Sequence, residues 1–301
     1  MTADAHGNFS GKHLVIFGAG YVGAAVAREA VGRGMRVTAL TRNPAKAAAL
    51  RAEGIEVVEA DLAETGWHQS IEGGAEFVLN CVSSGGGGVA GYERSYLRGM
   101  ESVIAWMRTQ GPAGTAIYTS STSVYPQDGG VRVDEKAPTD GSGDRAKILL
   151  ETENRLRTAA GTGTCGRCFV LRLAGIYGPG RHHLLEQVRT GEVAGRGDHH
   201  LNVIYRDDIA AAIWAAFGAE RKTANEIFNV ADDGAATKAA IAAWLAAKIG
   251  AAPPRFTGEP AQGRRSVTPD RIIANTRIKT VLGWKPAYPS FREGYAAILS
   301  A

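Results

Sequence analysis

His13-Leu14-Val15-Ile16-Phe17 runs into Gly18-Ala19-Gly20-Tyr21-Val22-Gly23, a short apolar run followed by G-x-G-x-x-G and a helix-like stretch over 21–32. Each glycine has its own physical reason. Gly18 permits a tight turn, Gly20 leaves room for a pyrophosphate to approach the backbone, and Gly23 lets the helix pack closely on the strand. The helix N-terminus, with Tyr21 and Val22 in its first turn, offers free N–H groups and a positive partial charge to phosphates. The stretch predicts dinucleotide binding. The alternative is a tight strand–helix turn with no ligand.

Outward from this turn, apolar runs recur over 13–17, 36–41, 55–59, 76–82, 115–120 and 167–173, with helix-like segments near 44–53, 63–71, 93–109 and 144–160. The alternation predicts an α/β chain, a Rossmann-type doubly wound parallel sheet with a smaller C-terminal substrate lobe. Near-continuous apolarity suits strands covered on both faces. The expected boundaries are a flexible tail over 1–11, a Rossmann domain over 12–173 with 200–232 returning to it, and a lobe from 174–199 and 233–301. Later elements are a helix over 207–219 capped by Asp207 or Asp208, a strand over 226–230, a helix over 238–249 capped by Thr237, and short helices near 275–282 and 290–299.

Composition narrows the class. The 301 residues are 45% hydrophobic and 21% charged, which excludes wholesale disorder. A net charge of +4 without a dense basic run, and 7% aromatics, argue against a nucleic-acid partner. Three cysteines make no disulfide framework, and residues 1–12 hold no apolar core of signal-peptide length. No apolar stretch reaches the ~20 residues of a membrane span. The expectation is a cytoplasmic protein whose partner is a small-molecule substrate.

The end of the second strand chooses the cofactor. An acid there would bind the ribose hydroxyls of NAD. This chain has Thr41-Arg42-Asn43, and Arg42 can pair with a 2′-phosphate, so NADP is favoured and NAD remains the other possibility. Asp61-Leu62 after the third strand suits an adenine contact or an ordinary helix cap. Asn80-Cys81-Val82-Ser83-Ser84 ends the fourth strand at the carboxyl edge, with Cys81, Val82 and Ser83 expected beside the cofactor and Ser84 beside the substrate. Gly85–Gly88 reads as a mobile loop or a connector.

Together with the glycine turn and Asp61-Leu62, the segments Ser120-Ser121-Thr122-Ser123-Val124-Tyr125, Leu171-Arg172-x-x-x-Ile176-Tyr177-Gly178-Pro179-Gly180, Asp207-Asp208-Ile209-Ala210 and Leu282-Gly283-Trp284-Lys285-Pro286 carry a resemblance. The pattern resembles the extended and atypical short-chain dehydrogenase/reductases, the group of NAD-dependent epimerases and dehydratases. The resemblance implies a Ser or Thr, a Tyr and a Lys for hydride chemistry. Ser121 matches the Ser, with Thr122 beside it on the substrate side, and Ile176 falls beside the cofactor. In Y-x-x-x-K the spacing puts both side chains on one helical face, where the ammonium lowers the tyrosine pKa and holds the nicotinamide ribose. The aligned segment is Gly143-Asp144-Arg145-Ala146-Lys147: Lys147 fits, but glycine holds the tyrosine position and no Tyr occurs between 126 and 176. That departure, and Tyr96-Leu97-Arg98-Gly99 in place of an Asn-containing helix motif, point to the atypical branch. Tyr125, Tyr177 and Tyr205 are the substitute proton donors to weigh, each also readable as a packing residue.

Tyr177, Arg181, His182 and Asn202 are the candidate substrate contacts; Arg181 can pair with a phosphate or carboxylate. The doublets His182-His183 and His199-His200 have no carboxylate at ligand spacing, so no metal is expected. Cys165-x-x-Cys168 enters a strand and lacks a second pair, which argues against zinc or redox work. The expected function is NAD(P)-dependent oxidoreductase or epimerase/dehydratase-type chemistry on a polar hydroxylated molecule, by default a sugar or sugar nucleotide. A non-catalytic NADP sensor and a non-redox lyase or isomerase are the alternatives. Relatives pair through the helices near 93–109 and 144–160, so a homodimer or a monomer is expected.

Overall fold

The computed structural model describes residues 9–259 and 269–301. The described strands are β1 His13–Phe17, β2 Arg36–Thr41, β3 Glu56–Glu59, β4 Phe77–Asn80, β5 Ala113–Ser121, β6 Val131–Val133, β7 Cys165–Leu173, β8 Gly175–Tyr177, β9 Glu192–Val193, β10 Val203–Tyr205, β11 Glu226–Val230, β12 Arg255–Phe256 and β13 Arg271–Ile273. The helices are α1 Tyr21–Gly32, α2 Pro44–Ala52, α3 Gly88–Tyr92, α4 Gly99–Gln110, α5 Asp144–Gly161, α6 His183–Arg189, α7 Arg206–Phe217, α8 Lys238–Lys248, α9 Thr276–Leu282 and α10 Phe291–Leu299.

Seven strands make one sheet in the order β11-β7-β5-β4-β1-β2-β3, the doubly wound arrangement expected from the alternation. Val15 of β1 sits in register with Thr38 of β2 on one side and Val78 of β4 on the other, all parallel. The chain leaves β1 in one direction for β2 and β3 and returns on its other side for β4 and β5. The carboxyl ends of β1 and β4 therefore mark the point where strand order reverses. In open α/β sheets that is where ligands bind. Both faces of the sheet are covered, and Val15, Phe17, Val78, Trp106, Tyr118 and Val170 are buried in one core. Met100, Val103, Ile104 and Met107 give α4 its buried stripe at helical spacing.

Two compact units emerge. One comprises the chain up to Val124 with Ser142–Arg172 and Ala210–Phe228; the other comprises Tyr125–Gly141, Leu173–Ile209 and Asn229–Ala301. The expected boundaries differ from this division, because 125–141, 200–209 and 229–232 group with the smaller unit. That unit has its own core of Tyr177, Leu185, Val193, Ile241, Leu245 and Phe291.

Several local expectations need correction. Residues 1–8 of the expected tail lie outside the described residues, but Phe9 is no tail residue: its buried ring lies 5.5 Å from that of Phe77 and 5.1 Å from that of Trp214. No α-helix forms over 63–71. Gly66 interrupts it, Trp67 buries its indole with Nε1 donating to the Leu62 carbonyl, and only a short 3-10 turn remains at His68–Ser70. The helix expected near 93–109 starts earlier, at Gly88, and passes through a π-helical turn, Glu93–Arg98, before α4. Neither Asp207 nor Asp208 precedes α7, which begins at Arg206. Asp208 is buried and accepts the N–H groups of Ala287 and Tyr288, while Asp207 pairs with Arg206. Thr237 does cap α8, accepting the Ala240 N–H. No described helix is long and apolar enough to cross a membrane.

Candidate active site

The site begins where β1 hands over to α1. Gly18 has φ +91°, and a Cβ there would stand 2.6 Å from the Val82 nitrogen. A Cβ on Gly23 would meet the Gly18 oxygen at 2.5 Å and the Cys81 sulfur at 2.8 Å. Above Gly20, by contrast, a Cβ would find nothing nearer than 3.9 Å. The turn is thus closed beneath Gly18 and Gly23 and open over Gly20. No side chain caps α1 and no acid lies in its first turn, so its leading N–H groups face that opening without a competing carboxylate. The cradle fits a dinucleotide pyrophosphate. Tyr21 is half-buried in that turn and Val22 is buried.

The walls come from the next three strand ends. Arg42 follows β2 with its guanidinium exposed and 3.6 Å from the Asp61 carboxylate. Asp61 accepts the Ala63 N–H and the Arg94 guanidinium. Burial works to raise its pKa, but the Ala63 N–H, Arg94 and Arg42 outweigh that and hold the carboxyl below its usual range. Leu62 turns into the core against Gly99, so only its backbone is left to face a ligand. The Cys81 thiol points under the glycine turn, donating to the Gly18 carbonyl at 3.2 Å. Burial lifts its pKa to about 12, so it stays a neutral thiol. Ser83 is exposed, and the Ser84 carbonyl accepts the Ser95 hydroxyl. All four glycines from Gly85 to Gly88 have positive φ, and Gly88 begins α3 rather than extending the loop. Asn80 closes β4 at this edge. Its Oδ1 accepts from Val82, while its buried Nδ2 has no partner among the described residues.

The expected catalytic segment is anchored from below. Ser120 donates to Glu153 of α5 at 2.6 Å, and Arg172 of β7 closes on the same carboxylate at 2.6 and 3.0 Å, all three side chains buried. This ties α5 to β5 and β7. Ser121, next to Ser120, is half-buried and accepts the Ser123 N–H. Thr122 is buried in the 3-10 turn that follows. At the head of α5, Gly143 is the exposed N-cap with φ −70° and ψ 168°, and no atom lies within 4 Å of where its side chain would begin. Lys147 is exposed, 3.6 Å from Asp144.

The smaller unit corrects three expectations. Tyr125 is buried and donates its hydroxyl to Asn229 at 2.8 Å, which makes it a packing residue and not a free proton donor. Tyr177 is buried among Tyr205 and Tyr295 with its hydroxyl directed to the Ser290 carbonyl, so it braces the core instead of touching substrate. Both ends of the Asn202 amide are occupied, Nδ2 on the Arg271 carbonyl and Oδ1 on the Ile273 N–H, which fixes β13. Tyr205 is buried against Tyr288. Ile176 is half-buried in β8, paired with Ile204. Arg181 is exposed. Each His doublet does have a carboxylate beside it, since His182 meets Glu186 at 3.0 Å and His200 meets Asp270 at 2.7 Å, but among the described residues no three potential metal ligands cluster.

The profile of the NAD dependent epimerase/dehydratase family matches residues 14–231. The chain belongs to that family. Among curated proteins it is similar to Protein YeeZ of Escherichia coli K12, 31% identical over 173 residues, 58% of this chain and 58% of YeeZ. It is also similar to the 3-diazoavenalumate denitrifying reductase of a Streptomyces species, 31% identical over 185 residues, 57% of this chain and 58% of the reductase. The chain thus matches under two thirds of these relatives' length. Among solved structures, UDP-glucuronic acid 4-epimerase from Bacillus cereus, bound to UDP-glucuronic acid and NAD, superposes with TM-score 0.79 at 18% identity, over 96% of this chain and 98% of that one. At that identity the likeness establishes the fold. Family membership sharpens the question posed by Gly143, which has no hydroxyl to give; the tyrosine ring packed at the head of α5 is that of Tyr92, 5.3 Å from the Arg145 guanidinium.

Proposed function

We propose that the protein is an NADP-preferring reductase acting on the carbonyl of a polar, hydroxylated small molecule, with sugars and sugar nucleotides the first class to test. The observation that carries the reading is the pairing of an open Gly18–Gly23 cradle with Arg42, and no carboxylate, directly after β2. A guanidinium there attracts a 2′-phosphate, where an acid would repel it. The word reductase in the name of a relative 31% identical supports the redox reading over a non-redox lyase. When bound, a reduced nicotinamide supplies a hydride. On the protein's side, the α1 N–H groups hold the pyrophosphate, Ser121 holds the reacting oxygen, and Lys147 approaches the ribose. Water or a substrate group supplies the proton that Gly143 cannot.

The test is calorimetric titration of nucleotide-free protein with NADPH and NADH, then loss of reduced-nicotinamide absorbance with a panel of keto-sugars and oxo acids. Arg42→Ala should weaken NADPH about tenfold and leave NADH nearly unchanged. Equal losses for both would remove the phosphate role. Tight NADPH binding without turnover on any carbonyl would favour the sensor reading.

A further inference from the structure

Arg42 does not stand alone at the edge of the cofactor site. Its Nη1 lies 3.6 Å from Asp61 Oδ2, too far for a hydrogen bond. Arg94, from the π-helical turn, puts Nε 3.1 Å from that same oxygen and Nη2 2.6 Å from Glu64 Oε1. The other Asp61 oxygen is taken by the Ala63 N–H at 3.0 Å. One carboxylate oxygen therefore serves two guanidinium groups, and Arg94 has the closer hold. A carboxylate beside the 2′-phosphate position is unfavourable twice over: it repels the phosphate and competes for Arg42. Arg94 removes both penalties by satisfying Asp61 itself. The π-helical turn matters because it sets the register that carries Arg94 towards the end of β3. Such turns recur at functional positions.

We propose that Arg94 is a positioning residue for cofactor choice: by neutralising Asp61 it leaves Arg42 free for an adenosine 2′-phosphate. The inference rests on the NADP reading above and adds to it a residue that touches no phosphate. With Arg94 removed, Asp61 has Arg42 as its remaining cation and draws it in. With both Arg94 and the Asp61 charge removed, Arg42 is free again.

The experiment is titration of the nucleotide-free full chain with NADPH and NADH in four forms: unmodified, Arg94→Gln, Asp61→Asn, and the double variant. Arg94→Gln should lower the NADPH-to-NADH affinity ratio about fivefold, the value of one half-exposed ion pair. Asp61→Asn should leave the ratio unchanged or raise it. The double variant should recover the unmodified ratio, which a general loss of folding would not do. An unmodified protein that binds both nucleotides equally would overturn the NADP reading itself. A clear NADPH preference that Arg94→Gln leaves untouched would overturn only the inference. A ratio that falls in Arg94→Gln and stays low in the double variant would mean that Arg94 touches the phosphate directly, and would overturn the positioning role.

Discussion

Glu153 shows how much one residue can hold. Its carboxylate joins Ser120 of β5, Arg172 of β7 and its own helix α5, and both charged partners are under 6% exposed. Replacing it by Gln keeps the size but removes the carboxylate charge that the buried Arg172 guanidinium holds at 2.6 Å. Breaking a buried pair from one side costs about 3–5 kcal/mol. Glu153→Gln should lose that much in urea unfolding, while an apolar pair at 153 and 172 should recover part of it. A loss below about 1 kcal/mol would show that the pair is not desolvated. This residue also marks where sequence reading stops. Leu171-Arg172 was recognisable as a motif, but its partner Glu153 lies 19 residues from Arg172 and 33 from Ser120, the three on different elements. Glycines announce themselves because their backbone constraint is local. The partners of Tyr125, Tyr177 and Asn202 are Asn229, Ser290 and Ile273, which no local pattern links to them.

At the scale of elements, the strand–helix alternation was legible because each buried strand is apolar through its length and each helix carries its own stripe. What periodicity could not show is the π-helical turn before α4, since one extra residue per turn leaves the apolar spacing on either side intact. The head of α5 gives the sharpest test. Gly143 has a φ that any residue adopts, and open space where its side chain would begin. Gly143→Tyr should therefore fold without a clash, at a cost of about 1 kcal/mol for replacing a good N-cap residue. It would also re-create the Y-x-x-x-K spacing to Lys147, with the Tyr at the non-helical N-cap. If turnover in the unmodified chain is limited by the proton, the variant should raise it. A drop in melting temperature matching more than about 2 kcal/mol, beyond the cost of the cap, would mean that the space is needed by something else.

For the molecule as a whole, the pH dependence of stability turns on a buried carboxylate in the smaller unit. Asp232 accepts the Gly234 N–H through Oδ1, while its buried Oδ2 has no partner among the described residues. Burial, with Asp233, Asp208 and Glu293 adding like charge, lifts its pKa from the ordinary carboxylate range to about 7. The folded chain then holds a proton that the unfolded chain releases near pH ~4, so stability from this group is full below that value and is lost as pH rises to about 7. His13, His68 and His199 act in the opposite sense, because burial lowers their pKa and their contribution falls away as pH drops below the ordinary histidine range. The pH curve of the unmodified chain mixes the two. Comparing it with Asp232→Asn separates them, since Asn cannot ionise and leaves the histidines alone. Above pH ~7 the variant should be more stable by a few kcal/mol, and at pH ~4 the difference should vanish. Parallel unfolding curves across that range would place the Asp232 proton equilibrium in water, with the carboxylate solvated and the orphaned oxygen satisfied.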